Sequence, residues 1–185
     1  MVPFWWRARL FQRWRQRFLV QLSAQTLGDG TTTQMSFREI EVRSYRDSDE
    51  PGVVALWTEV FPDDPPWNEP RLIIQRKHGV QLDLFLVATR DSEVVGTVLA
   101  GFDGCRGWVH HLAVAPEARR ARIGSALMRE AAARLKAIGA PKVNLQVRAS
   151  NEGAVRFYQS LGFKVEQRVS MSQLLQTNEG WPPPR

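Results

Sequence analysis

Three arginines stand at the start of a helical repeat, in Arg119-Arg-Ala-Arg-Ile-Gly-Ser125, and that placement suits the binding of an anion. A helix N-terminus presents backbone N–H groups without intrahelical acceptors, and its aligned peptide dipoles leave it partly positive. The guanidinium charges add to that field, and phosphate is the ligand such an end holds readily. The preceding segment, Trp108-Val-His-His-Leu-Ala-Val114, is apolar and partly β-branched with two histidines at its middle, and it reads as a strand. Pro116 cannot extend a strand ladder, so the chain turns there. From Ala118 to Ile138 apolar side chains recur at helical spacing, at Ile123, Leu127, Ala131, Leu135 and Ile138. An Arg-rich first turn is also what a solvated helix face looks like, so this segment by itself leaves both readings open.

The next stretch adds a second signature. Val143-Asn-Leu-Gln-Val-Arg148 alternates as a strand, and Ala149 to Phe163 reads as a capped helix ending at a glycine. Taken together, the Leu-Ala-Val strand end, the Pro-Glu-x-Arg-x-x-x-Ile-Gly turn and the Asn-x-x-Ala-x-x-Phe-Tyr-x-x-x-Gly-Phe segment resemble the GNAT superfamily of acyl-CoA-dependent N-acetyltransferases. The resemblance covers roughly residues 37 to 174, with both motifs in the family's order and spacing. Small bacterial members of the YpeA type are the most similar, and Val147-Arg-Ala-Ser-Asn151 also resembles enzymes that acetylate ribosomal-protein N-termini. The implied fold is α/β, a mixed, mostly antiparallel sheet of about six to seven strands flanked by about four helices.

Acetyl transfer from a thioester needs a neutral amine, a polarised carbonyl and a proton for the leaving thiolate. An alkylamine has a pKa of about 10, so something must take its proton at neutral pH. The resemblance implies acetyl-CoA as co-substrate, no metal, and direct transfer in a ternary complex to a small-molecule amine or a protein N-terminus. It places backbone contacts to the pantetheine at Leu112, Ala113 and Val114. The pyrophosphate falls over the turn Arg119, Arg120, Ala121, Arg122, Ile123, Gly124 and Ser125. Asn151 is placed beside the pantetheine or the acceptor, and Tyr158 at the general acid. Asp63, Asp64, Trp67 and Glu69 lie in the region that forms one wall of the family's acceptor site, where they would recognise a cation.

Two positions depart from the family pattern. Arg122 stands where the turn's first glycine belongs, and glycine there admits φ above zero at little cost. Arginine keeps its N–H, so the amide cradle survives if φ stays negative. Gln146, a candidate acceptor contact, stands where ribosomal-type relatives carry a glutamate base, and an amide takes no proton at neutral pH. His110 is then the candidate base, since imidazole titrates near pH 6.5 and some amine acetyltransferases carry a histidine two residues before the same Leu-Ala-Val. Strand alternation puts Trp108, His110 and Leu112 on one face and His111 on the other.

The remaining chain must position these groups. With 185 residues it is long enough for one domain with a full core. Residues 1–34 hold five arginines against one aspartate, so most of the net charge of +6 lies there and the rest is nearly balanced. Trp6, Leu10, Trp14, Phe18 and Leu22 recur at four-residue steps among those arginines, too charged for a membrane span and without a signal-peptide core. This leader is expected to lie outside the fold, with translation starting at Met35. The acetyltransferase domain is expected over 35–175, and a Pro-rich tail over 176–185.

Within the domain, Phe37 to Tyr45 alternates as a strand, Asp47 or Ser48 caps a helix with Pro51 in its first turn, and Glu69 to His78 forms a second short helix. Asp83 to Thr89 and Val94 to Phe102 are strands. The single cysteine, Cys105, excludes an intramolecular disulfide and fits a cytoplasmic protein. A P-loop is excluded because no Gly-Lys-Ser/Thr follows a strand. A homodimer is compatible with the family. Two other classes stay open: an acyl-CoA-binding sensor without turnover, motivated by Arg122 and Gln146, and a membrane- or nucleic-acid-surface protein driven by the basic leader.

Overall fold

The computed structural model describes residues 40–175 and the two-residue strand Arg17–Phe18; the rest of the 1–34 leader and the 176–185 tail lie outside the described residues. The elements run β1 (Arg17–Phe18), β2 (Ile40–Ser44), α1 (Glu50–Val60), α2 (Pro70–His78), β3 (Phe85–Arg90), β4 (Glu93–Phe102), β5 (Gly107–Val114), α3 (Ile123–Ala137), β6 (Val143–Leu145) and α4 (Glu152–Ser160). They fall into two compact units, 1–146 and 147–185, the second of which holds α4.

The strands form one sheet in the order β1-β2-β3-β4-β5-β6, antiparallel except for the parallel pair β5–β6. Short turns join β3 to β4 and β4 to β5, whereas β2 reaches β3 through α1 and α2. The parallel pair needs a crossover, and α3 supplies it. The expected α/β sheet with four helices is thus present, with five strands of three or more residues and the short β1.

Both faces of the sheet are covered, which accounts for the unbroken apolar run of β3: Phe85, Leu86, Val87 and Ala88 are all fully buried. The alternation of β4 assigns the helices to faces. Gly96 packs under α3, where a Cβ would lie 3.0 Å from Ile123 and 3.1 Å from Leu127. Its neighbour Thr97 faces α1 and accepts a hydrogen bond from the Trp57 indole N–H at 2.7 Å.

Several expected boundaries move for local reasons. Asp47 and Ser48 do not cap α1, because a 3-10 turn spans Asp47–Asp49 and Pro51 opens the helix after it. The buried Asp49 carboxylate instead holds the Arg43 guanidinium through two bonds, 2.6 and 2.8 Å. The helix expected from Ala118 begins only at Ile123, since Pro116–Ala118 forms a 3-10 turn and Arg120 and Arg122 take positive φ. The strand expected to reach Arg148 stops at Leu145, so Gln146 lies outside it. Of the strand expected from Phe37, residues 37–39 lie outside the described residues. Among the described residues, no helix is long and apolar enough to cross a membrane.

Candidate active site

Thr97 pairs with Ala113 and Leu99 with His110, so His111 and Leu112 together oppose the single residue Val98. This is a β-bulge, and it breaks the alternation of β5. Thr97 and Leu99 lie on the α1 face of β4, and cross-strand partners share a face, so His110 and Ala113 lie there too. His111 joins them: its ring sits 5.0 Å from that of Trp57 and 5.5 Å from that of Phe61. The expectation that His110 and His111 occupy opposite faces, with Leu112 beside His110, is therefore corrected. Both imidazoles face α1 and α2, and Leu112 and Val114 turn to the other side.

A chain of hydrogen bonds ties the bulge to the core. The Thr97 hydroxyl accepts from Trp57 and donates to the His111 carbonyl at 3.3 Å. His111 itself has φ +47°, a left-handed conformation that costs a non-glycine residue about 1–3 kcal/mol.

The His111 ring closes the floor of a cleft of about 350 Å³. Trp57, Phe61, Pro65, Pro66 and Pro70 supply apolar walls, and Asp64, Asn68 and Glu69 supply polar groups. The proline-rich loop between α1 and α2 forms one side, because its prolines favour extended backbone over helix. Asp64 Oδ2 lies 3.6 Å from His111 Nε2, an ion-pair distance that exceeds a direct hydrogen bond. The same oxygen accepts from the Asn68 amide at 3.2 Å. Neither ring nitrogen of His111 has a hydrogen-bond partner. Burial pushes the His111 pKa below the usual histidine value, and the Asp64 charge offsets this only in part. Desolvation lowers His110 as well, followed by the charge of Lys77, although His110 stands exposed at the surface.

The other expected acceptor residues differ in placement. Glu69 lines the cleft, yet both its carboxylate oxygens cap α2, accepting from the amides of Arg71 at 3.1 Å and Leu72 at 2.8 Å. Trp67 is 49% exposed and is not among the cleft walls, and Gln146 is an exposed residue just past β6, also outside them. His111, Trp57 and Phe61 were not singled out from sequence as site residues. The adjacent histidines were the one available signal, and only the bulge decides between them.

The second feature lies at the far end of β5. β6 pairs with β5 only over Gly107–Val109, so Leu112, Ala113 and Val114 have β4 on one side and no paired strand on the other among the described residues. Beyond them, no side chain caps α3, which leaves the first-turn amides of Ile123, Gly124 and Ser125 without an intrahelical acceptor. Arg119, Arg120 and Arg122 are exposed around this end, with Ala121 between them half-buried. Arg122 occupies the N-cap position at φ +60° and ψ +14°, and Arg120 has φ +65°. The condition of a negative φ at Arg122 is thus not met: the chain takes the backbone that glycine favours and places arginine there. A strand edge with open backbone, followed by a cationic helix end, fits an extended ligand that carries phosphate.

In the second unit, the Asn151 carboxamide caps α4, accepting from the Ala154 N–H at 3.0 Å, and the helix ends before Gly162 at φ +90°. The side chain expected beside a ligand thus has its oxygen engaged in starting the helix. The Tyr158 ring lies against Phe157 and Phe163, at 5.1 and 5.7 Å between centroids. Burial pushes its phenol pKa up to about 12.

A profile of the acetyltransferase (GNAT) family matches residues 37–163, a span that includes β5, the arginine turn, α3 and α4. An acetyltransferase of Sodalis glossinidius is 38% identical over 130 residues, covering 70% of this chain and 91% of that protein. Among solved structures, Ard1 from Thermoplasma volcanium aligns with a TM-score of 0.62 at 25% identity, over 69% of this chain and 84% of that one. An aminoglycoside N-acetyltransferase crystallised with CoA shares the fold, with a TM-score of 0.61 at 16% identity over 73% of this chain and 94% of its own. With the family profile laid over the strand, turn and helix described above, and a curated relative matched nearly end to end, the chain belongs to the acetyltransferase (GNAT) family and is an N-acetyltransferase.

Proposed function

We propose that the protein transfers an acetyl group from acetyl-CoA to a primary amine by direct transfer, without an acylated enzyme. The observation that carries this reading is the pairing, within one unit, of an amine-sized cleft at the bulge of β5 with an uncapped, arginine-lined helix end after the same strand. Acetyl-CoA supplies the activated acetyl thioester. Its phosphates suit the amides of Ile123, Gly124 and Ser125 and the charges of Arg119, Arg120 and Arg122. Its extended pantetheine suits the open edge at Leu112, Ala113 and Val114. The cleft excludes water from the amine with aromatic and proline walls, while Asp64 attracts its positive charge. Tyr158 holds a proton throughout the neutral range, the state required of a general acid for a leaving thiolate. The fold shared with an aminoglycoside N-acetyltransferase crystallised with CoA supports CoA as the ligand of this reading.

Acetyl-CoA is expected to stabilise the full chain against unfolding by about 2.7 kcal/mol at one hundred times its dissociation constant. Deleting residues 1–34 leaves that increment unchanged if the leader takes no part in the site. A thermal or urea melt measures it, and no stabilisation at millimolar acetyl-CoA overturns the reading. The sensor alternative draws support from Gln146, an amide that takes no proton at neutral pH. Release of free thiol from acetyl-CoA in the presence of amines separates an enzyme from a sensor.

Arg122→Gly tests the turn itself. Removing left-handed strain gains about 1–2 kcal/mol, while the greater freedom of glycine in the unfolded chain returns about 0.5–1 kcal/mol. The expected net is a stabilisation of about 0.5–1 kcal/mol with acetyl-CoA affinity kept or raised, measured by urea unfolding and calorimetry. A tenfold loss of affinity, about 1.4 kcal/mol, assigns the Arg122 guanidinium to a phosphate instead.

A further inference from the structure

We propose that Lys77 is a self-acetylation site, its side-chain amine taking the acetyl group of acetyl-CoA bound to the same molecule. This rests on the acetyl-CoA reading above and adds a covalent modification of the protein itself.

The lysines of the chain are Lys77, Lys136, Lys142 and Lys164. The last three are exposed, and Lys164 lies in the second unit. Lys77, in the last turn of α2, is half-buried, and its Nζ donates to the Ala100 carbonyl at 2.7 Å. That carbonyl is open to a side chain because β3 pairs with β4 only as far as Leu99. Beyond that point side chains take the place of a strand. The Gln81 amide donates to the Phe102 carbonyl at 3.0 Å and accepts from its N–H at 2.8 Å, and Lys77 meets Ala100. A neutral carbonyl holds the ammonium form less strongly than a carboxylate would.

The amine is thereby held beside the strand that leads into the bulge. Ala100 opposes Val109 and Leu99 opposes His110. The Lys77 charge reaches His110, where it adds to the effect of burial in lowering the imidazole pKa. From Val109 to Leu112, where the open edge begins, is about 10 Å along the strand. The flexible four-carbon stem of a lysine can swing through such a distance.

Burial also favours reaction at nitrogen. It lowers the Lys77 pKa below the ordinary lysine value, and the Asp83 charge opposes this only in part. The neutral fraction rises accordingly, and only the neutral amine carries a lone pair that can attack. The ammonium first gives one proton to water. Its nitrogen then attacks the thioester carbonyl carbon, the N–C bond forms and the C–S bond breaks. The thiolate leaves with the second proton that the nitrogen sheds, so the products are acetyl-lysine and CoA. An amide does not hand its acyl group to a further amine, so the modified side chain is an end product and not an intermediate of transfer. Its lasting effect is the loss of a positive charge next to His110.

The full chain is incubated with acetyl-CoA and no added amine, and acetylation of each lysine is followed by peptide mass mapping. Because Lys77 reacts with a thioester held in its own molecule, it should be acetylated about tenfold faster or more than Lys136, Lys142 or Lys164. Its rate per molecule should not change with protein concentration. Free CoA in excess should suppress the Lys77 rate and leave the other three unchanged, since those meet acetyl-CoA from solution. Lys77→Arg should abolish the thiol released without an acceptor, while acetyl-CoA still stabilises the variant against urea.

Even labelling of these lysines, a Lys77 rate that free CoA leaves unchanged, or one that rises in proportion to protein concentration overturns the proposal. Stabilisation by acetyl-CoA in the same samples leaves the acetyl-transfer reading standing in each of those cases. No stabilisation of the unaltered protein at millimolar acetyl-CoA removes that reading and this proposal with it.

Discussion

Tyr158→Phe is expected to lower turnover by about 10²–10⁴-fold while leaving acetyl-CoA affinity and the fold intact. The substitution removes only a hydroxyl, so the ring contacts with Phe157 and Phe163 persist. Burial raises the phenol pKa to about 12, so the wild-type side chain is protonated at every pH in the neutral range. The sign of the linkage follows: the pKa lies above the ordinary value of about 10, so any stability from this shift is present below that value and fades only as pH rises through the folded value. Between pH 6 and 9 the mutation should therefore leave the pH dependence of stability unchanged, and any rate loss is a loss of proton donation. Steady-state kinetics beside a urea titration checks this. A fall in the urea midpoint that accounts for the lost rate would make Tyr158 a packing residue.

Trp57→Ala is expected to destabilise the protein by about 3–5 kcal/mol, the range for truncating a large buried aromatic. Trp57 is 1% exposed, packs against Phe85 at 5.7 Å and His111 at 5.0 Å, and donates its indole N–H to Thr97. Truncation leaves a cavity between α1 and the sheet and strips the buried Thr97 hydroxyl of its donor. Against a usual total of about 5–15 kcal/mol, the loss is a large share of the stability. Trp57→Phe separates the two contributions. It keeps much of the apolar area but removes the N–H, so a cost of about 1–3 kcal/mol is expected from the unmet hydroxyl. Because Thr97 also holds the His111 carbonyl, this milder variant should lose turnover beyond its loss of stability. Urea unfolding of both variants, with kinetics on Trp57→Phe, measures this. A Trp57→Phe protein with unchanged turnover would show that the hydrogen-bond chain does not hold the bulge.

Much of the architecture was legible in local sequence. The apolar run of Val94 to Phe102, the glutamate-proline start of α2 and the Ile123-Leu127-Ala131-Leu135 stripe of α3 each reflect what a buried strand, a helix start or a helix face demands of neighbouring residues. The capped start of α4 was readable for the same reason, since Asn151 caps through a bond to an amide three residues away. Interactions of such short range leave their mark in adjacent residues. The family likeness was also legible, because the strand end, the arginine turn and the Phe-Tyr helix are contiguous motifs, and the family profile spans all three.

The parts of the site that sequence misplaced depend on contacts between distant segments. Alternation assigned His110 to the site and His111 to the opposite face, and a single extra residue on β5 reversed the second assignment. Nothing within Trp108 to Val114 signals that bulge. It is secured by Thr97 on another strand, 14 residues from His111 in sequence, and by Trp57 on α1, a further 40 residues from Thr97. Likewise, the sequence determined that Arg122 stands at the turn, but only the folded turn, between the 3-10 segment Pro116–Ala118 and α3, decided that its φ is +60°. The sequence by itself determined the family, the order of elements and the chemistry available. Tertiary structure decided which histidine, carboxylate and aromatic side chains meet in one cleft, because a bulge shifts side-chain direction at a stroke and is stabilised by partners far away along the chain.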